Sequence, residues 1–442
     1  MTWFKNKIKS FNVFEIGNSF VLYYALIFFS VPVLFFFGNL FALPTEVFGN
    51  YQLNYKAIFY LALGLVFFVA GYHNRRISFF AGRLPDFFKL KSEWDFKKIP
   101  WVFGIILVLG LAIKVLKIFG GTYSYYQKNP WLQDSSFFSL IGILEWVSYL
   151  ALIIAFSSYF YFRKNNDARR YLWQKMAWGV FILEIAYALP SCNRTSVIVP
   201  VIIYFILKHY FSSISWRQIV AAVLGILIVF PFGNVCRNPA IFQQYFSAEE
   251  KQINAGTPVI KNFGNFSSNF ANFTSNSVFS RIDQSIVFSR IIEMDEPFLY
   301  GRSFLNFFIS LGPPRFIWED KPVISEGSDF GHRSGLLAPD VKSTVGVTMV
   351  GDLYMNFGLA GVILGMFLIG IFFRFIYEYL INRTNISFSG VAFYIFFWLN
   401  TVKGMEDRIA LVYAGLVKLF IILLAINYFL IKRKNENTAH SS

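Results

Sequence analysis

The chain is poor in the residues that build most metal and disulfide sites. Its 442 residues include two cysteines, Cys192 and Cys236, and four scattered histidines. Histidines so placed offer no metal-ligand spacing, and two cysteines make no disulfide framework. No metal or other cofactor is expected. Charge is scarce too: only 15% of residues are charged, and 25 acidic residues face 40 lysines and arginines. No repeat of about 20–50 residues occurs, which excludes solenoids and propellers. No low-complexity tract is present beyond the polar tail 432–442. The N-terminal stretch lacks a short apolar core followed by a small-residue cleavage site, so no removable signal is expected.

What the chain has in excess is apolar surface. Hydrophobic residues make up 56%, aromatics 20%, and the mean hydropathy is +0.50. That is far above a soluble domain of this length and places the chain in a bilayer. Apolar runs fall at 19–41, 57–72, 100–119, 137–162, 171–189, 196–211, 218–236, 346–375, 388–402 and 409–431. Hydrocarbon about 30 Å thick needs runs of this order, so about ten spanning helices are expected, within a range of about nine to eleven. The fold class is an all-α polytopic membrane protein, a single integral membrane domain over 1–442 with a polar tail at 432–442.

Lysine and arginine orient this array, because they accumulate in cytoplasmic loops. With the N-terminus and its Lys5, Lys7 and Lys9 inside, the cytoplasmic segments hold more than half of the basic residues. The block 73–99 is the strongest anchor. Both termini are then cytoplasmic, and the segment 237–345 becomes one large extracytoplasmic loop. The +15 balance follows from loops beside anionic headgroups and requires no nucleic acid.

That loop is the natural seat of chemistry, since it is too long for a simple connection and too polar for lipid. Residues 245–280 are rich in Asn, Ser and Phe. Residues 281–300 read as a helix, and 301–345 are dense in Gly and Pro. In the helix, Arg290 has Asp283 and Glu293 on its stripe, so a surface salt bridge satisfies it. Arg281 has Gln284 and Ser285 there instead, which leaves it for an anionic ligand or for a loop acid such as Glu249 or Glu250.

Charges inside apolar runs are the second signal, because each is costly unless paired, hydrated or used. Glu145 and Glu184 lie within helices. Lys114 and Lys117 lie near a helix end, where snorkelling explains both. Arg194 either pairs with Glu184 across the turn 188–196 or faces a phosphate at the membrane surface, a role suited to its planar fork. Cys192 and Cys236 both fall at outer helix ends, where they are either two small hydrophobes or a disulfide that draws Arg194 toward Arg237. After the loop, Gly351, Gly358 and Gly365 recur every seven residues, and Gly361 with Gly365 makes a GxxxG pair suited to the close approach of another helix. Packing does not account for Asp352 and Asn356, four apart on the adjacent face. Asp352 is a candidate general base or a helix cap.

Three stretches together resemble the bacterial oligosaccharide repeat unit polymerases, the O-antigen polymerase or Wzy-like family. They are Ser191 to Thr195; Tyr300-Gly301-Arg302-Ser303 with Gly312-Pro313-Pro314-Arg315 through Pro322; and Gly351-Asp352-Leu353-Tyr354-Met355-Asn356-Phe357-Gly358. The family often has Gly-Ser-Arg where this chain has Cys-Asn-Arg, and Gly-Glu where it has Gly-Asp. The resemblance implies a metal-independent glycosyltransferase of the GT-C class in the bacterial cytoplasmic membrane. Such an enzyme joins oligosaccharide units carried on undecaprenyl pyrophosphate at the outer face, for O-antigen, capsule or exopolysaccharide. Its partners would be that lipid-linked oligosaccharide, the lipid bilayer and a chain-length regulator protein.

On this reading Asp352, Arg281 and Arg315 are the catalytic candidates. Arg194, Arg290, Lys321, Tyr354 and Asn356 are the candidates for binding pyrophosphate or glycan. An O-antigen ligase is the nearest alternative, but its loop His some ten residues before a Gly is not matched, because Lys342 stands ten residues beyond His332. A lipid-linked glycan flippase is the alternative from another class, and it would show paired repeats and a charged path at mid-bilayer.

Overall fold

The computed structural model describes residues 12–40, 54–86, 90, 92–119, 136–191, 193–222, 224–225, 283–313, 317–318, 320–322, 326–339, 344–381 and 386–431. The described residues are helical throughout, with one isolated bridge between Trp94 and Ile431 and no strand. The helices are α1 (Ile16–Leu40), α2 (Tyr55–Tyr72), α3 (Arg75–Arg83), α4 (Ile99–Phe119), α5 (Ser136–Lys164), α6 (Arg170–Ala188) and α7 (Arg194–Phe211). They continue as α8 (Ser285–Glu293), α9 (Arg302–Leu311), α10 (Glu326–Arg333), α11 (Met349–Leu380), α12 (Phe388–Lys403) and α13 (Ile409–Leu430).

Among the described residues, seven helices hold a stretch long and apolar enough to cross a membrane. They are α1, α2, α4, α5, α7, α11 and α13. The expected segments at 171–189 and 388–402 are also helices, α6 and α12, but the first is more polar and the second has only 16 residues. The run at 218–236 falls mostly outside the described residues. The protein is therefore an all-α polytopic membrane protein.

Local sequence sets many helix starts. The side-chain oxygens of Asn54, Asn193, Thr348 and Ser387 accept from backbone N–H groups of α2, α7, α11 and α12, supplying partners that a first turn lacks. α12 is apolar on every side and is buried almost along its whole length, against α1, α5, α7, α11 and α13. Exposed apolar residues on α4, such as Trp101, Ile105 and Val108, mark a face toward lipid.

α2 and α11 form the closest pair. A Cβ on Gly71 would lie 2.1 Å from the Phe367 carbonyl oxygen, and one on Gly370 would lie 2.2 Å from that of Phe68. Small residues thus let the two backbones touch. Gly361 and Gly365, where an approaching helix was expected, serve another purpose. α11 breaks at Phe357 and Gly358, the latter at φ +60, and the chain folds sharply enough to bring residue 353 against residues 361 and 365. The Leu353 carbonyl and side chain occupy the space that those two glycines leave open. The GxxxG pair therefore receives the chain's own preceding turn.

The loop also differs from expectation beyond 300. The Gly- and Pro-dense stretch contains two helices, α9 and α10, as well as turns. Arg302 to Leu311 is an apolar run of one helical length, bounded by Gly301 and by Gly312-Pro313, so its glycines and proline delimit a helix.

The charges within apolar helices are paired. Lys114 on α4 bonds Glu184 on α6, and Lys117 bonds Glu145 on α5 at 2.6 Å. Both side chains of the first pair are 5% exposed, and Lys114 also lies 4.9 Å from the centre of the Tyr187 ring. Snorkelling does not describe these lysines, and the ion-pair partner of Glu184 is Lys114, not Arg194. A three-residue step on α4 points both lysines toward α5 and α6.

Candidate functional site

The second and third motif stretches meet in one hydrogen-bonded knot. The Ser303 hydroxyl donates to Asp352 Oδ1 at 2.7 Å, and Asn356 Nδ2 donates to Ser303 Oγ at 2.6 Å. Asn356 Nδ2 also reaches the Asp352 carbonyl at 2.7 Å and Oδ1 at 3.3 Å. Its own Oδ1 accepts from the Gly301 N–H at 2.9 Å. Asp352 Oδ2 accepts from the Ile409 N–H at 3.1 Å, which ties the start of α13 to the same carboxylate. Asp352 and Asn356 are fully buried, and Ser303 is nearly so.

The backbone around the knot is held in unusual conformations. Asp295, Tyr300 and Thr348 all have positive φ, as does Gly301. Non-glycine residues in that region are strained and persist only where the surroundings hold them. Here the Leu299 and Tyr300 N–H groups donate to the carbonyls of Met355 and Asn356. The Thr348 N–H donates to the Glu406 carbonyl, and Thr348 Oγ1 caps α11. The loop, the broken start of α11 and the turn 404–408 are thereby locked to one another.

Beside the knot lies a shallow surface cleft lined by Met294, Glu296, Phe298, Phe330 and Tyr354 among others. The Tyr354 ring contacts those of Phe288, Phe298 and Tyr60. Glu296 is bound by Arg333 at 2.9 Å.

The candidates fall into three groups. Asp352, Asn356 and Tyr354 are brought together, but Asp352 faces donors on both carboxylate oxygens and does not open onto solvent. Its place is that of a group organising the junction. Arg290 pairs with Glu293 at 2.8 Å on an exposed face, as its helical spacing suggested, while Asp283 receives the Ser285 N–H and hydroxyl. Burial pushes the Asp283 carboxyl above its ordinary range, and those two hydrogen bonds partly offset the rise.

Lys321 donates to the Gly312 and Pro313 carbonyls, away from the knot. Arg194 is buried at the start of α7, where Asn193 Oδ1 accepts from the Thr195 N–H, and the Ser191 hydroxyl just before it donates to the Ala188 carbonyl at the end of α6. Arg281, Arg315, Cys192, Cys236 and the stretch 245–280 lie outside the described residues. His332 is exposed in the last turn of α10.

Sequence reasoning assigned no role to Gly301, Ser303 or Ile409, which complete the knot, or to Arg302, an exposed cation one residue from Ser303. Their signal was the Tyr300–Ser303 stretch itself, whose pairing partner is invisible without the fold. No group of His, Cys, Asp and Glu able to hold a metal occurs among the described residues.

Comparison with known families gives the particular assignment within the class of polytopic helical membrane proteins. Residues 132–429, about two thirds of the chain, match a family described as a domain of unknown function, DUF8712, and the chain belongs to that family. The match covers α5 to α13 and so includes the knot. No curated protein and no solved structure matches the chain.

Proposed function

We propose that this protein is a GT-C-like glycosyltransferase of the cytoplasmic membrane that polymerises oligosaccharide units carried on undecaprenyl pyrophosphate. Both termini are cytoplasmic and the loop faces outward on this reading. One observation carries it. Two of the three sequence stretches that resemble the Wzy-like polymerases, separated by some fifty residues, form a single buried hydrogen-bonded unit through Ser303, Asp352 and Asn356.

The chemistry follows from the groups placed around that unit. The acceptor hydroxyl of one glycan attacks the anomeric carbon of the donor sugar and gives up its proton to solvent or to the departing pyrophosphate. The bond to the pyrophosphate oxygen breaks, and the polyprenyl pyrophosphate leaves with its negative charge. Fixed cations aimed at that charge lower the barrier. Exposed Arg302 stands at the knot, and Arg194, Arg281 and Arg315 remain candidates for the same task. Asp352, buried as it is, acts by holding Ser303 and the start of α13 in place. The aromatic surface around Tyr354 is the candidate contact for a sugar of the growing chain. Transfer to a foreign acceptor, as a ligase performs, is the alternative reading within the same class, and lipid-linked glycan transport is the alternative outside it.

The test is direct. Purified protein in nanodiscs is incubated with one lipid-linked repeat unit, and the products are separated by length. A ladder is expected. Unchanged length with the substrate moved across the bilayer would replace the enzyme by a transporter. Arg302→Ala should lower polymer yield at least about tenfold while membrane insertion is unaffected.

A further inference from the structure

α3 follows the spanning helix α2 after only His73 and Asn74, so it stands where that helix leaves the hydrocarbon. Asn74 Oδ1 accepts from the Arg76 N–H at 3.1 Å and begins the new helix. At about 100° per residue, Arg75, Arg76, Phe79, Phe80 and Arg83 fall within one arc of about 140°. All five are exposed. The other side carries Ile77, Ser78 and Ala81, and Ser78 Oγ accepts from Arg374 Nε of α11 at 3.0 Å. The helix is thus fixed by one side against the end of a second spanning helix, with its mixed side outward.

That outward side suits neither bulk water nor hydrocarbon. Phe79 and Phe80 are 61% and 58% exposed, which water disfavours, and three guanidinium groups beside them are costly in lipid tails. The headgroup layer accepts both, since rings reach the acyl boundary while cations stay among phosphates. The Arg83 guanidinium lies over the Phe79 ring, 3.7 Å from its centre, so cation and ring are held at one depth.

The charge on this side has no answer within the described protein. α3 contains three arginines and no acid. Around its contact with α11 the carboxylates are engaged by Arg374, which binds Glu15 at 3.1 Å and also Glu378. Glu15 accepts in addition from the Tyr72 hydroxyl at 2.7 Å. Arg75, Arg76 and Arg83 make no ion pair among the described residues. Guanidinium forks left open in a headgroup layer match phosphate oxygens.

We propose that α3 is a docking face for anionic phospholipid, with Arg75, Arg76 and Arg83 on the headgroup phosphates and Phe79 and Phe80 at the acyl boundary. This role needs no transferase activity. On the orientation proposed above, the lipid belongs to the cytoplasmic leaflet.

Two experiments test this. The purified full-length protein in mild detergent is given equal amounts of phosphatidylglycerol and phosphatidylcholine, and retained lipid is measured by native mass spectrometry. Phosphatidylglycerol should be preferred. Arg75→Gln, Arg76→Gln and Arg83→Gln combined should lower its retention about tenfold or more, whereas lysine at the same three positions should keep it within about threefold. Wild-type retention by the glutamine variant would overturn the site. An equal loss from Arg163→Gln, Lys164→Gln and Lys175→Gln combined, at exposed cations of α5 and α6, would reduce the effect to net charge and also overturn it.

Depth is read separately. With Cys192 and Cys236 replaced by serine, a spin label is placed on Phe79→Cys or on Phe80→Cys in nanodiscs containing phosphatidylglycerol. Oxygen should relax the label more than a water-soluble nickel chelate does, because oxygen concentrates in the acyl region. Stronger relaxation by the chelate at both positions would place the face in water, reject the lipid and leave a soluble protein as its partner.

Discussion

Two regions of the bundle carry lysine within spanning helices, and they treat it oppositely. On α4, Lys114 and Lys117 each meet a glutamate, and the Lys114 pair is almost wholly sequestered. On α13, Lys418 is half-buried and makes no ion pair among the described residues. The first arrangement is internally neutral and holds α4 to α5 and α6. The second shows no such carboxylate among the described residues. A lysine in an apolar run is thus a structural tie where the neighbouring helix brings it a carboxylate.

The sharpest break of this contrast is Glu184→Ala. It leaves Lys114 charged, buried and without its carboxylate, and should cost about 3–5 kcal/mol in unfolding measured in mild detergent. A loss below about 1 kcal/mol would mean that the pair is not a tie. Asp352→Ala comes next, because it strands the Ser303 hydroxyl and the Ile409 N–H. A loss of about 2–4 kcal/mol is expected by the same measurement. Asp352→Asn should recover part of that stability, since it keeps an acceptor for Ser303.

Lys418→Met should act with the opposite sign to any loss on α4. Removing a half-buried cation that has no carboxylate beside it among the described residues should stabilise the protein by about 1–3 kcal/mol. Destabilisation by Lys418→Met would show that Lys418 has a structural partner after all. Smallest is Arg290→Ala. Its pair with Glu293 is exposed on both sides, so a change under about 1 kcal/mol is expected, screened further by salt.

Much of the fold could be read along the chain because apolar length and helix caps are local properties. Residues 57–72, 100–119 and 388–402 are close to the helices found, and Asn54, Asn193 and Ser387 cap where their side-chain chemistry predicts. The Arg290–Glu293 pair was equally legible, being three residues apart on one helix. The ion pairs of Lys114 and Lys117 were not, since their partners lie 70 and 28 residues away and helix periodicity carries no information across helices. The role of Asp352 was obscured for the same reason. Four residues from Asn356 on a helix face it resembles an accessible base, and only the arrival of Gly301, Ser303 and Ile409 covers it.

The GxxxG pair shows how a correct local observation can be given the wrong partner. Small residues at 361 and 365 do mark a close approach, but the approaching group is Leu353 of the same chain, brought there by the break at Phe357 and Gly358. A positive-φ glycine is compatible with a break without requiring one, so the sequence cannot announce it.

By itself, then, the sequence determined that this protein is a helical membrane protein and where most of its helices run. Hydrophobic length and capping act over one to six turns and need no distant neighbour. Tertiary structure decided which charges are neutralised, which glycines face which backbone, and that the loop closes on Asp352. Each of those depends on two segments far apart in the chain reaching the same depth on facing sides, a condition set only by packing.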